Sequence, residues 1–265
     1  ADRYEVDNAG DRVVENGAFG IDWIVSSVHF DLETTPGVEN LTLTGTAHLN
    51  ASGNALMNVI TGNNGNNLLT SVLGDTLVGG AGNDTLLGSF SSDMLDGGTG
   101  ADTMAGDTGY DTYTVDHPGD VVVEVPVNTS DRYDLIKSWI SYTLPVYVEW
   151  LTLQGDMPLN GTGTDAGNEI LTGNSAANVL ASGGGMNDDL YGMGGDDTLR
   201  DDGGYARMYG GAGNDTYLIT GSFGWVVEAA GEGVDTVQVS FNFILPANVE
   251  NLTLVAGLSA TGNAL

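Results

Sequence analysis

Aspartate recurs at a fixed step of nine residues through Asp75, Asp84, Asp93, Asp102, Asp111 and Asp120. The same step returns at Asp188, Asp197 and Asp215, with Ala206 standing where one carboxylate is due. Carboxylates in register are hard oxygen ligands that repel one another, by roughly 4 kcal/mol for a pair about 4 Å apart at an effective dielectric near 20. Bringing them together therefore calls for a cation. Ca²⁺ suits the donors on offer, since it takes roughly 6–8 oxygens at about 2.3–2.6 Å and accepts backbone carbonyls in flexible geometry, whereas Mg²⁺ demands tighter octahedra. The chain has no cysteine and only three scattered histidines, His29, His48 and His117, so thiolate and imidazole metals find little to bind.

The elements that must position these carboxylates follow from the residues around them. Two places after each aspartate stands a larger, mostly apolar side chain: Leu77, Leu86, Leu95, Met104, Tyr113 and Val122. Gly79 to Leu87 (GGAGNDTLL) and Gly97 to Ala105 (GGTGADTMA) match G-G-x-G-x-D-x-U-x throughout, and Gly210 to Tyr217 (GGAGNDTY) matches again in the second half. Glycine supplies turn conformations with positive φ, and in x-U-x the middle side chain faces one way and its neighbours the other. Each nonapeptide thus reads as six turn residues and three strand residues. Two of them make one coil, and residues 18 apart stack at about 4.8 Å. Asp84 is then expected over Asp102, and Asp93 over Asp111, with the U side chains filling a thin core between two parallel sheets. Asn58, Asn67 and Asn178 take the aspartate's place in other units. A neutral amide ladders without charge repulsion, which predicts rungs without metal there.

A longer period of about a hundred residues lies over the short one. Tyr4, Tyr113 and Tyr217 each open a copy, followed by V-V-E ending at Glu15, Glu124 and Glu228, by Asp22, Asp134 and Asp235, and by V-E-x-L-T-L ending at Leu43, Leu153 and Leu254. Both chain ends fall within a copy, so the chain reads as a window on a longer array. The recurring glutamates read as products of duplication rather than catalytic groups, and Trp23, Trp139, Trp150 and Trp225 as partly buried rung residues. The fold class expected is all-β, a parallel β-roll or β-solenoid with calcium-binding turns, continuous through three super-repeats. Along it, 1–57, 123–168 and 218–265 are solenoid segments and 58–122 and 169–217 are the calcium rolls.

Composition excludes other classes. Lys and Arg total 6 against 36 Asp and Glu, a net charge of −30, so phosphate backbones and anionic membrane surfaces are poor partners. No apolar run reaches the roughly 20 residues of a membrane span. No His-Glu-x-x-His, Gly-x-Ser-x-Gly or cysteine nucleophile is present, so no catalytic constellation stands out and the chain reads as non-enzymatic.

At its nonapeptides the chain resembles the RTX (repeats-in-toxin) calcium-binding β-roll. The resemblance implies that one turn gives the carbonyls of its second and fourth residues and its sixth-position Asp. The turn a coil later gives its first and third carbonyls and its own Asp. Carried over, the ligand sets are Gly80, Gly82 and Asp84 with Gly97, Thr99 and Asp102; Ser89, Ser91 and Asp93 with Gly106, Thr108 and Asp111; and Met193, Gly195 and Asp197 with Gly210, Ala212 and Asp215. Two further sets are Gly98, Gly100 and Asp102 with Val115, His117 and Asp120, and Ser71, Leu73 and Asp75 with Gly88, Phe90 and Asp93. The departures are that 88–93 lacks most turn glycines, Pro118 lies inside the turn before Asp120, and 201–206 has no acid in sixth place, which leaves Asp188 without a full partner turn. The resemblance also implies a bacterial, secreted or cell-surface protein exported by type I secretion and folding on several Ca²⁺ ions. Three roles fit: a structural segment of a surface layer, filament or matrix, with self-association; the stalk of an adhesin; or the accessory tail of a secreted hydrolase or epimerase.

Overall fold

The structure, a computed structural model, describes residues 1–15, 20–125, 133–221, 224–255 and 260–263. Among the described residues the regular elements are short β-strands apart from a single 3-10 turn at Leu32–Thr34. The fold is an all-β parallel β-solenoid, and it divides into two compact units, Ala1–Leu135 and Ile136–Leu265.

In the first unit each strand pairs in parallel with the strand one coil away, not with its neighbour in sequence. Arg3–Val6, Trp23–Ser26, Asn40–Leu43, Val59–Thr61, Thr76–Ala81, Met94–Thr99 and Thr112–Val115 follow one another across one face. Phe30–Asp31, Asn50–Ser52, Leu68–Thr70, Thr85–Leu87, Thr103–Ala105 and Val121–Val123 make the opposite face. The second unit repeats this plan. Trp150–Leu153, Ile170–Thr172, Met186–Gly194, Tyr205–Ala212 and Trp225–Val227 form one face. Asn160–Thr162, Val179–Ala181, Thr198–Asp201, Thr216–Ile219, Thr236–Val239 and Asn251–Leu254 form the other.

The U residues make the core. Leu95 pairs with Leu77 on one side and Tyr113 on the other, while Met104 sits between Leu86 and Val122, so the step is 18 residues as expected. None of these six side chains is more than 5% exposed. Away from the nonapeptides the coil changes length, as where Phe30 pairs with Ala51 and Val237 with Leu252. Parallel pairing tolerates this because the extra residues go into the corners, where no ladder bond must be kept.

The two faces are not equivalent. Thr85–Leu87 has the three strand residues expected, but Thr76–Ala81 and Met94–Thr99 run for six. Pairing continues through the turn, with Gly98 against Gly80 and Thr99 against Ala81. Glycine permits this: Gly80 and Gly98 have φ of 104° and 77°, and a Cβ on Gly98 would strike the Gly80 carbonyl oxygen.

Outward-facing side chains stack along the same step. Arg207 donates from Nε to Asp189 Oδ1 at 2.5 Å, across directly paired positions, and Tyr191 lies flat on Tyr209 with centroids 4.8 Å apart. The tryptophans correct one expectation. Trp23, Trp139 and Trp225 are 44%, 55% and 60% exposed. Trp23 and Trp225 open strands one place before a buried U residue, and the two-residue alternation turns them outward. Among the described residues no helix is long and apolar enough to cross a membrane.

Leu95→Ala should lower stability in calcium by about 2–4 kcal/mol, since it empties a space between two stacked neighbours. Met94→Ala, at an exposed position one residue earlier, should change it by less than about 0.5 kcal/mol. Paired denaturant titrations measure the difference, and equal effects would contradict the inward register.

Candidate metal centre

Residues two before and two after each U side chain share its inward direction, so both end in the corner of the coil. The residue before is the aspartate of the nine-step, and the residue after is the first glycine of the next turn. The corner is therefore where carboxylate and small residue meet.

The aspartates are tied into a ladder that runs from coil to coil. The Asp84 N–H donates to Asp102 Oδ1 at 2.6 Å, Asp75 to Asp93 at 2.6 Å, Asp93 to Asp111 at 2.7 Å and Asp197 to Asp215 at 2.8 Å. These charge-assisted bonds hold one oxygen of each carboxylate and bury its owner: Asp84, Asp93, Asp102, Asp111, Asp197 and Asp215 are each at most 2% exposed. The second oxygen has two fates. At Asp84, Asp102, Asp188, Asp197, Asp201 and Asp215, Oδ2 is buried without a hydrogen-bond partner. At Asp75, Asp93 and Asp120, the turn's own backbone closes on Oδ2, through the N–H of Val72 at 3.2 Å, Ser89 at 2.8 Å and His117 at 2.9 Å.

Glycine makes the room beside the open oxygens. A Cβ on Gly79 would overlap Asp84 Oδ2 and the Gly97 carbonyl oxygen, and one on Gly192 would overlap Asp197 Oδ2 and the Gly210 carbonyl oxygen. Beside each first glycine, then, an open carboxylate oxygen of one turn faces a carbonyl oxygen of the next coil. Gly80 and Gly82 send their carbonyl oxygens toward Gly98 and Gly100, where a Cβ would meet them. The residues of the set Gly80, Gly82, Asp84, Gly97, Thr99 and Asp102 are thus drawn to one corner, although the Thr99 carbonyl also accepts the Gly82 N–H at 3.0 Å. Met193, Gly195, Asp197, Gly210, Ala212 and Asp215 repeat the arrangement: Cβ atoms on Gly211 and Gly213 would meet the Met193 and Gly195 carbonyl oxygens. An oxygen-only cradle with two buried, open carboxylate oxygens fits a hard divalent cation.

Other corners are filled by the protein itself. In the set containing Ser71, Leu73, Gly88 and Phe90, the Ser71 hydroxyl donates to Asp93 Oδ1 at 2.8 Å, and the Ser89 hydroxyl donates to the Leu73 carbonyl at 3.2 Å. The Ser89 carbonyl, beside Ser91, Gly106 and Thr108, accepts the Thr108 N–H at 3.3 Å. In the set containing Val115, the His117 carbonyl accepts the Asp120 N–H of its own turn at 3.0 Å.

The asparagine rungs carry a second amide that the nine-step does not mark. Asn67 Nδ2 donates to the Leu49 carbonyl at 2.9 Å, and Asn63 Nδ2 reaches the Thr44 and Ala47 carbonyls at 3.0 Å each. Asn58 with Asn54 and Asn178 with Asn174 do the same. Two amides donate into the carbonyl oxygens of the preceding coil and so neutralise the corner without an ion. The G-N-x-x-x-N spacing at 53–58, 62–67 and 173–178 is the signal that marks them.

Asp201 is the other residue the sequence reading missed. It stands in the first-glycine place of the turn whose sixth residue is Ala206, and it is fully buried. A Cβ on Gly224, a sixth-place residue one coil on, would meet Asp201 Oδ2. Its charge also helps to raise Asp188. The carboxylate missing at Ala206 is supplied to the same corner from the opposite end of the turn, beside Asp188.

Burial raises the pKa values of these groups, making them weaker acids. Asp102, Asp188 and Asp215 are pushed up to about 6 and Asp197 to about 7, first by desolvation and then by neighbouring carboxylates, against the stabilising N–H bonds.

A family model for the RTX calcium-binding nonapeptide repeat matches the chain in four copies, at 71–104, 78–113, 164–199 and 182–217. The chain carries RTX calcium-binding nonapeptide repeats. Both open cradles lie inside the matched RTX residues, and so do the serine-filled corners. No curated protein and no solved structure matches the chain.

The raised carboxylates set a pH dependence. In the folded RTX chain without metal they hold protons that the unfolded chain, with aspartates near 3.9, has released. Stability in chelator should therefore fall as pH rises from about 4 to about 7. With calcium present the order should reverse, because protons then compete with the ion. Thermal unfolding at pH 5 and pH 8, with and without chelator, measures both signs; a chelated chain indifferent to pH would contradict the buried, open carboxylates.

Proposed function

We propose that this chain is an extracellular, non-enzymatic repeat segment whose RTX turns fold around Ca²⁺ bridging successive coils. The observation that carries the reading is the buried, partnerless Oδ2 of Asp84, Asp102, Asp197 and Asp215, each beside a glycine that leaves room for an ion. Gly80, Gly82 and Asp84 would hold one ion with Gly97, Thr99 and Asp102, and Met193, Gly195 and Asp197 another with Gly210, Ala212 and Asp215. The corners built on Asp75, Asp93 and Asp120 are weaker candidates, since their own backbone already occupies the carboxylates.

The ion supplies positive charge where the chain brings only negative. With 36 acids against 6 bases, the solenoid repels itself until that charge is present. An ion that binds the native state and not the unfolded chain stabilises by RT ln(1 + [L]/Kd) at each site. Such a chain stays loose where calcium is scarce and folds where it is millimolar, which suits export through a narrow channel followed by folding outside the cell. Stacked, parallel-paired coils suit a load-bearing role in a surface layer, filament or matrix, by self-association or within a longer array.

Circular dichroism during a calcium titration of the full chain at pH 8 should show β structure appearing with the ion and collapsing in chelator. Asp84→Asn should weaken calcium binding at its site by about tenfold or more, roughly 1.4 kcal/mol. Asp202→Asn, at a partly exposed residue paired with Arg200, should not. Full β structure in chelator at pH 8, or equal losses from the two variants, would refute the mechanism.

A further inference from the structure

At the edge of the residues matched to the nonapeptide repeat, the structure gathers a second kind of acidic site. Asp215, Glu228 and Asp235 each place a carboxylate oxygen within 4.8 Å of the others, and all three are buried. Asp111, Glu124 and Asp134 do the same in the first unit, as do Asp2, Glu15 and Asp22. These are the glutamates of V-V-E and the acids that follow them. Their recurrence, which by itself reads as duplication, acquires a shared geometry.

The position of the glutamate explains the convergence. Glu228 stands two residues after buried Val226, in the place that Gly192 and Gly210 take in the nonapeptides. It therefore points into the corner where those glycines leave space. Tyr217, a U residue, reaches the same corner from the core: its hydroxyl donates to Glu228 Oε1 and accepts the Gly210 N–H at 2.8 Å. Asp235 Oδ1 accepts the Asp215 N–H at 2.8 Å, and Asp215 Oδ1 accepts the Asp197 N–H at 2.8 Å. What remains is one open oxygen on each of two buried side chains, Asp215 Oδ2 and Glu228 Oε2, neither with a hydrogen-bond partner. Tyr113 and Glu124 repeat the tyrosine–glutamate hydrogen bond.

We propose that the Asp215–Glu228–Asp235 triad holds a divalent cation of calcium's size at the coil that follows the last nonapeptide; the first unit's cluster differs, since Glu124 Oε2 accepts the Val125 N–H at 3.3 Å. Three converging carboxylates make an all-oxygen site. Two ligands on opposite sides of Ca²⁺ stand about 5 Å apart, so carboxylate oxygens within 4.8 Å of one another can all touch one ion; Mg²⁺, at about 2.0–2.1 Å and strictly octahedral, fits less well. The tyrosine hydroxyl orients the glutamate and leaves its other oxygen for the metal. An ion there would close the end of the calcium roll against the rungs that follow. The site shares Asp215 with the second nonapeptide cradle but can be tested apart from it, because Glu228 and Asp235 take no part in that cradle.

The test is a count of bound calcium on the full chain by equilibrium dialysis against calcium chloride. The variant Glu228→Gln keeps an acceptor for Tyr217 and should bind one fewer ion than the parent, while Asp84→Asn, which touches only a nonapeptide cradle, should leave the triad filled. An unchanged count in the folded Glu228→Gln variant would overturn the proposal. Anomalous diffraction from parent crystals grown in calcium chloride decides the matter even if the variant fails to fold. A peak within about 2.6 Å of the Asp215, Glu228 and Asp235 carboxylates is expected. Peaks between Asp84 and Asp102 with none at the triad would overturn this proposal and leave the nonapeptide reading intact.

Discussion

The hydrogen bond from one aspartate's backbone N–H to the carboxylate of its counterpart a coil later is the constraint on which the rest of the structure depends. It is repeated from Asn58 and Asn67 onto Asp75 and Asp84, down the aspartate columns, and on to Asp134 and Asp235. It ties successive coils together at the corners, beside the backbone bonds in which the Asp84 and Asp102 carbonyls accept the Thr103 and Val121 N–H groups. It also draws acidic side chains into a dry corner, where a charge with no partner is costly. Every other feature of the corners is a way of meeting that cost.

Three solutions coexist on one scaffold. Where the turn is glycine-rich, as at 79–84 and 192–197, the corner stays open and presents carboxylate and carbonyl oxygens to an ion. Where a pair of asparagines stands at G-N-x-x-x-N, side-chain amides deliver the positive ends of their dipoles to the carbonyls of the previous coil. Where serine or the Pro118 turn replaces glycine, the chain's own N–H and hydroxyl groups close over the acid. The backbone path varies little among these, so the corners exchange metal dependence for self-sufficiency one turn at a time. The RTX repeats thus need not be uniform for the coil to continue.

The first-glycine place is the most informative position in the coil. It faces inward, so a glycine there makes room and an acid there fills the room with charge. Asp201, Glu124 and Glu228 all use it, the first where the expected sixth-place acid has become Ala206, the others where a tyrosine rises from the core to meet them. Acids at this place and acids at the sixth place converge on the same point although they sit at opposite ends of a turn.

The sequence by itself determined the solenoid, its core and its carboxylate columns. Leu77, Leu86, Leu95, Met104 and Tyr113 keep the nine-step, and a step of nine with period-two strands leaves their side chains one direction to face. The oxygen character of the corners was also legible, since a chain rich in aspartate, with no cysteine and three scattered histidines, offers mainly oxygen. Tertiary structure alone decided which carboxylate oxygens stay open. That depends on whether a backbone N–H of the same turn can fold back onto the acid, as at Asp93 and not at Asp84, and on groups that meet only after coils of unequal length have stacked. The pairing of Glu228 with Asp215 and Asp235 and the supply of an acid beside Asp188 by Asp201 belong to this second kind. Each joins residues that meet only across coils, and no local run of residues carries that information.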